Sequence, residues 1–364
     1  MPALPDPRRY SSLSRDDALA RLVQQTAAGD TAARRALLLW ARERLEGGRD
    51  GEIRDALRRM PSAAAASGLW DAVCRAVEDD EAASEHEVGV RLFAFPIVLV
   101  VAGRQPAVVT GTLAHPDAIR EALEKHGALG AARNVGLSNA LCARTALDAI
   151  EPSAVLRWSR EWSGPPRELA PQEIRVERGR EQVHVRFIVG AGISPRDAPS
   201  IVETASNIGA WGIPLAKLLM QELACPAVDL LALPRPPVGL LRAPLAGRQA
   251  EIEAAFHLFV SNTLRELRAA AGEPTAIVSA HEGAAGAEVR VSMSSVFDAA
   301  LLEGFRWPLH PFDDLQRIEA VIAELLQACR VDDLRVIPKV LPERMGSGRL
   351  FLRGGDAGTG DRAH

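Results

Sequence analysis

Two spacings divide this chain. Over 15–77 apolar residues return every third or fourth position, the period of a helix with one buried face; from Val88 onward they stand in contiguous or alternating runs, the period of strands. In the first stretch Leu19, Leu22 and Val23 share a face. Asp30 stands where a helix cap is needed, ahead of Leu37, Leu38, Trp40 and Leu45, and Gly47–Gly48 closes that helix. Ile53, Leu57 and Met60 lead to Pro61, and Leu69, Trp70, Val73 and Val77 mark one more helix.

From Val88 an apolar run, a turn and an amphipathic helix follow one another twice, at about 88–127 and 183–224. Leu92–Ala102 is apolar except for Pro96 and is rich in Val, Ile and Phe. It is about half the roughly 20 residues a membrane helix needs, and it suits a buried strand, with Pro96 pointing to an edge or a bulge. Val108–Leu113 reads as its partner strand, and Val135–Ala143 as a second apolar segment. Later strands are expected at Val228–Leu233, Ala276–Ala280, Ala287–Ser292, Leu301–Leu309 and Leu334–Val340. Helices are expected around Ile252–Leu267 and Leu315–Cys329, and one from Pro195 or Ala198 that Gly209, Gly212 and Pro214 break in two. Pro234–Pro237 reads as a stiff connector.

The expected fold class is therefore α+β, an N-terminal helical module followed by two α+β units that read as candidate divergent repeats. The expected division is a mobile arm over 1–14, the helical module over 15–77, an acidic linker over 78–87, a first α+β unit over 88–165, a linker over 166–180, a second α+β unit over 181–342 and a disordered tail over 343–364.

Composition narrows the function classes. Net charge is −4, which gives no overall attraction to nucleic acid. The arginines of the helical module, Arg34, Arg35, Arg42, Arg44, Arg58 and Arg59, alternate with acids and read as solvated faces, so no nucleic-acid partner is expected. Cys74, Cys142, Cys225 and Cys329 lie far apart in apolar surroundings and read as reduced core thiols. The N-terminus has no apolar signal segment, so the expected location is cytoplasmic, with no membrane partner.

Candidate chemistry is sparse. Gly190 and Gly192, expected in a strand-to-helix turn, could present main-chain N–H groups to an anion, with Asp197 and Arg306 as further ligand candidates. The dinucleotide fingerprint is incomplete, since Pro195 stands at its third glycine. His281 and Glu282, expected at a hairpin tip, are the candidate proton-transfer pair, weighed against a plain exposed turn. His115, His184, His257 and His310 show no metal-ligand spacing, no nucleophile elbow occurs, and neither metal nor cofactor is expected. Trp158, Trp162 and Trp211 are candidate interface anchors, with core filling as the alternative.

The segments LFAFPIVLV at 92–100 and GFRWPL at 304–309, the latter followed by a helix and VDDLRVIPKVLPE, resemble an uncharacterised betaproteobacterial protein family, a domain of unknown function. That resemblance implies a bacterial, cytoplasmic protein and no assigned activity. Its members carry a cysteine-rich C-terminal stretch with the look of a metal site, whereas this chain holds no cysteine after Cys329. The expected function is a non-enzymatic interaction or assembly protein that binds a protein partner or itself. The alternative is an enzyme or small-ligand or anion-binding protein with a cleft in the second α+β unit.

Overall fold

The computed structural model describes residues 15–78, 88–161, 169–195, 200–269, 273–283, 286–295, 302–343 and 350–352. The expected mobile arm, most of the acidic linker, most of the tail, Trp162 and Asp197 lie outside them. The α+β class holds. The chain forms two compact units, Met1–Pro61 with Gly68–Glu251, and Ser62–Ser67 with Ile252–His364.

The N-terminal helices are α1 (Arg15–Ala27), α2 (Thr31–Glu46), α3 (Asp50–Arg58) and α4 (Ala63–Glu78). Asp30 caps α2, its carboxylate accepting from the N–H groups of Ala32 (2.8 Å) and Ala33 (3.1 Å). Glu78, assigned from sequence to the acidic linker, is the last residue of α4 and pairs with Arg242. Then come β1 (Val88–Gly103), β2 (Ala107–Val109), α5 (Pro116–Lys125), β3 (Arg133–Ala143), α6 (Arg144–Asp148), α7 (Pro152–Arg160), β4 (Ile174–Val176), β5 (Glu181–Pro195), α8 (Ile201–Thr204), α9 (Ile208–Glu222), β6 (Val228–Pro234) and β7 (Val238–Gly239).

The main sheet of the first unit is antiparallel, in the order β3-β5-β1-β6, with β7 extending the β6 side of β1. β1 and β5 pair continuously from Val88↔Pro195 to Ala102↔Glu181. This pairing corrects the expected division. The strand assigned to the second unit belongs to the same sheet as the strand assigned to the first, so the chain does not divide at 166–180. The helical module is no separate domain either: α2, α3 and α4 supply Ala41, Leu45, Ile53, Val73 and Cys74 to the core that covers one face of this sheet.

Both faces are covered. Phe93, Phe95, Ile97, Leu99 and Val101 point to Ile119 and Leu123 of α5 and to Trp211, Leu215 and Leu219 of α9. Ala94, with Val185, Phe187 and Val189 of β5, points to the helical layer. A strand buried on both sides is apolar at consecutive positions, which is why Leu92–Ala102 shows no alternation. β1 is central, so Pro96 does not mark an edge. The Pro96 carbonyl accepts from Arg235 N–H at 2.8 Å, on the side where β6 ends and before β7 begins. A strand residue points its N–H and C=O to the same side, so the donor that proline lacks falls in that gap.

Three further expectations change. β2 pairs with β4, not with β1. α9 runs unbroken through Gly209, Gly212 and Pro214, and the interruption falls before it, at Ala205–Asn207. Pro214 removes one helical hydrogen bond. That loss is outweighed by burial of Trp211, whose ring stands edge-on to Phe95 at 5.4 Å between centroids and whose Nε1 donates to the Ala205 carbonyl at 3.1 Å. Gly190 and Gly192 lie inside β5, not in a turn. A β-carbon at Gly190 would sit 2.5 Å from the Phe93 ring, so glycine there makes room for the opposite strand's aromatic.

The helix α10 (Ala243–Ala269) belongs to the first unit as far as Glu251. The second unit continues with β8 (Pro274–Gly283), β9 (Gly286–Ser295), β10 (Leu302–Pro308), α11 (Leu315–Ala328) and β11 (Asp333–Pro342). Its sheet runs β10-β9-β8-β11, antiparallel except that β11 lies parallel to β8. One face packs Ala276, Val278, Val289, Val291 and Met293 against Phe256, Val260 and Leu264 of α10 and Ile318, Ile322 and Leu326 of α11. A wholly antiparallel sheet centred on β1 and β5 and a mixed sheet centred on β8 and β9 have unrelated strand orders, so the two sheets are not copies of one another.

Replacing Gly190 with valine should lower stability by about 1–3 kcal/mol through overpacking against Phe93, read as a lower urea midpoint at unchanged slope.

Candidate functional site

Strand alternation places one row of side chains on the apolar core of the second unit and the other row on the opposite face. In β8 that second row is Thr275, Ile277, Ser279 and His281; in β9 it is Glu288, Arg290, Ser292 and Ser294. All eight are buried. Polar residues at alternate positions usually mark a solvated face, so the burial is the unexpected observation, and the charged members must find partners within it.

They do. Register sets Ser279 opposite Arg290 and His281 opposite Glu288. The next strand sets Arg306 opposite Arg290, two like charges across a strand pair. Glu288 lies between them: Oε1 accepts from Arg290 Nε at 2.6 Å and Oε2 from Arg306 Nε at 2.7 Å. Burial alone would push the Glu288 carboxyl up. The hydrogen bonds and charges of Arg306 and Arg290 outweigh it and hold the group below the usual carboxylate range. Arg290, with its side chain 2% exposed, also donates from Nη1 to the main-chain carbonyls of Glu343 (2.6 Å) and Leu350 (2.8 Å).

His281 is inside β8 and 1% exposed, not at a hairpin tip. Its Nδ1 lies 3.1 Å from the Pro342 carbonyl and its Nε2 2.9 Å from Ser279 Oγ. A carbonyl can only accept, so Nδ1 carries the proton and Ser279 donates to Nε2, which assigns the neutral Nδ1–H tautomer. Burial pushes the His281 pKa down, against a smaller opposing effect of the Pro342 hydrogen bond. A hydroxyl donating to an imidazole that is oriented by a third group is the pairing that activates serine nucleophiles. Ser279 is 2% exposed, so in this conformation neither member is open to a substrate.

The structure therefore unites His281 and Arg306 around Glu288. Glu282 is the next residue on β8, opposite Ala287 and exposed, on the other face from His281. Gly190 and Gly192, within β5, stand opposite Phe93 and Arg91 of β1, and β5 runs on past them to Pro195, so the expected anion-binding turn is not formed. Ser279, Glu288 and Arg290, absent from the sequence reading, complete the cluster. Their only local signal is polar alternation in a hairpin, which an ordinary solvated strand shares.

The remaining candidates lie outside this cluster. His115 Nδ1 pairs with Glu222 at 2.7 Å, and the same carboxylate accepts from the Ala114 and His115 N–H groups at the start of α5. Burial, with the nearby Arg186 charge, pushes the His184 pKa down. Trp211 fills the core and Trp158 packs half-buried against the helical layer. Burial pushes the Cys142 thiol up to about 11 and the Cys74 thiol higher still. Arg42, Arg44 and Arg58 each pair with a neighbouring carboxylate. A cleft in the first unit, lined by Val77, Glu78, Arg91, Val155, Leu240 and Leu241, encloses about 20 Å³, enough for a water. Among the described residues no three His, Cys, Asp or Glu side chains are placed to hold a metal, and no helix is long and apolar enough to cross a membrane.

Glu288 is more acidic in the fold than in the unfolded chain, so its stabilisation is present above the unfolded carboxylate range and is lost as pH falls through its folded pKa. His281, also lowered, acts in the same direction: its contribution is present above the unfolded histidine range and is lost as pH falls. Urea midpoints between about pH 7 and 3 should therefore fall steadily. Glu288→Gln should cost about 3 kcal/mol at neutral pH, by leaving the buried Arg290 guanidinium uncompensated, and should flatten the acid limb.

The chain matches no protein-family model, no curated protein and no solved structure.

Proposed function

We propose that this chain is a non-enzymatic interaction or assembly protein of the bacterial cytoplasm that associates with copies of itself. The observation that carries the reading is where apolar surface remains. Of eight large apolar side chains standing exposed among the described residues, four lie on two edge strands, Leu231 and Leu233 on β6 and Val336 and Val340 on β11. Among those residues β6 pairs only with β1 and β11 only with β8, so each also has an outer edge of main-chain groups open to pairing. β11 is blunted by Pro338, Lys339 and a register irregularity between Ile337 and Leu341, devices that discourage edge pairing. β6 has Pro234 at its end and Asp229, paired with Arg104, near its start, and Leu230–Leu233 between them carry no such device, so β6 is the favoured association edge. The charged cluster of the second unit supports a non-catalytic role, because its donors and acceptors are engaged with one another and with main-chain carbonyls.

Light scattering over a concentration series should find a dimer or larger species. Replacing Leu231 and Leu233 together with lysine should shift it to monomer while the melting temperature changes little, since both side chains already face solvent. A wild-type monomer at every concentration, with no partner retained, would sink the reading.

The Ser279–His281 hydrogen bond favours a second reading, an acyl-transfer enzyme in which Ser279 Oγ attacks the carbonyl carbon of an ester or amide, its proton passes to His281 Nε2 and from there to the departing alcohol or amine as the acyl C–O or C–N bond breaks. A fluorophosphonate probe decides it: stoichiometric labelling that disappears in Ser279→Ala supports catalysis, and an unlabelled native protein retires it.

A further inference from the structure

Residue parity sorts the two sides of β6. Arg104 N–H donates to the Ala227 carbonyl at 2.9 Å and Arg235 N–H to the Pro96 carbonyl at 2.8 Å, so the odd-numbered residues turn their main-chain groups toward β1. The even-numbered residues, Val228, Leu230, Ala232 and Pro234, turn theirs to the outer edge. Proline has no N–H, and the Val228 N–H donates to the Cys225 carbonyl at 3.0 Å. Among the described residues, two donors therefore remain on that edge, the N–H groups of Leu230 and Ala232, beside four carbonyls. The side chains of Val228, Leu230 and Ala232 pack in the core shared with α9, while Asp229, Leu231 and Leu233 stand exposed on the other face. Arg235 is next in that second row.

This edge is complementary to itself. A second copy related by a two-fold axis presents β6 antiparallel, and bonds form only where outward residues meet outward residues, so the axis passes beside a single residue. With the axis at Ala232, Ala232 stands opposite its own copy and Leu230 opposite Pro234 of the second copy. Every remaining donor then has a carbonyl, Ala232 to Ala232 and Leu230 to Pro234. On the exposed face Leu231 meets Leu233 twice, and Asp229 meets Arg235 twice. An axis at Leu231 sets Asp229 against Leu233 instead, and an axis at Leu230 sets it against Leu231. An axis at Leu233 carries Leu230 past the end of the opposite strand. Matched apolar pairs and opposite charges across the strands single out the first arrangement.

We infer that two copies join β6 to β6 across a two-fold axis at Ala232, which extends the main sheet of the first unit into one continuous sheet. The inference rests on the self-association reading and supplies its partner strand and register. Asp229 keeps its pair with Arg104, 2.5 Å from Nη2 and 3.3 Å from Nε, and accepts Arg235 of the second copy as well. A strand with no cation at that place leaves the carboxylate facing apolar groups, so Asp229 selects this edge against others. One short strand pair is a small interface, so the association is weak and rises with concentration.

The test uses the full chain. Leu231 and Leu233 of the second copy form a non-hydrogen-bonded pair, about 4.5 Å between α-carbons and within disulfide reach. Leu231 and its own copy lie diagonally, at about 7–8 Å and out of reach. Leu231→Cys mixed with Leu233→Cys, mildly oxidised with copper phenanthroline, should therefore crosslink, and neither variant should do so alone. Peptide mass mapping identifies the joined sulfurs. A charge exchange provides the second arm, read by sedimentation. Asp229→Arg alone and Arg235→Asp alone each set like charges against one another and should weaken association about tenfold. Their mixture restores both pairs and should associate as wild type does, a recovery that misfolded variants would not show. A crosslink from Leu231→Cys alone, or an associating wild type whose charge variants do not recover on mixing, overturns the register and spares the assembly reading. A wild-type monomer at every concentration, with no crosslink in the mixture, overturns both.

Discussion

The first unit depends on the pairing of β1 with β5, two long strands joined edge to edge from Val88↔Pro195 to Ala102↔Glu181. Roughly eighty residues of chain separate them, and bringing them together costs loop entropy before any contact forms. What repays that cost is burial on both faces. The odd positions of β1 from Phe93 to Val101 meet α5 and α9, and Ala94 with the alternate positions of β5 meets the N-terminal helices. The same pairing decides local details. It sets Gly190 opposite Phe93, and it leaves the absent N–H of Pro96 in the gap between β6 and β7.

The second unit solves a different problem. Its sheet has one apolar face packed on α10 and α11 and one polar face whose β8 and β9 rows are nevertheless buried. Two arginines set opposite each other on neighbouring strands would repel, and a single carboxylate one pair further along resolves this by accepting from both. Such an arrangement adds little net stability over an apolar equivalent, but losing one member is costly. The cluster works as a fixed frame: it holds Arg290 so that its remaining donors reach the carbonyls of Glu343 and Leu350, and it borders a histidine held neutral between a hydroxyl and a carbonyl.

These two designs bear on function in the same direction. The densest convergence of polar groups in the second unit is closed upon itself, while apolar side chains and open main-chain edges remain at β6 and β11. On the proposed assembly reading, the charged groups order the protein's own backbone and the strand edges carry the association. The hydrogen bond from Ser279 to His281 is the one element of the cluster with the form of a catalytic pair, and its burial separates form from access.

Much of this architecture was legible in the residues. The helical period of residues 15–77, the cap at Asp30, the strands at Leu92–Ala102, Val228–Leu233, Ala276–Ala280 and Ala287–Ser292, and the amphipathic helix through Phe256 and Leu264 all follow from spacing and side-chain chemistry, which act within a few neighbours. Strand partnership does not act locally. A run that is apolar at every position says that both faces are covered but not by what, so the union of β1 with β5, the central place of Pro96 and the strand setting of Gly190 emerged only in three dimensions. Polar alternation through Ser279, His281, Glu288 and Arg290 looks the same whether the row meets water or is shielded. Burial is a property of what lies above a sheet, and it was the tertiary structure that turned an ordinary solvated pattern into a paired, enclosed cluster.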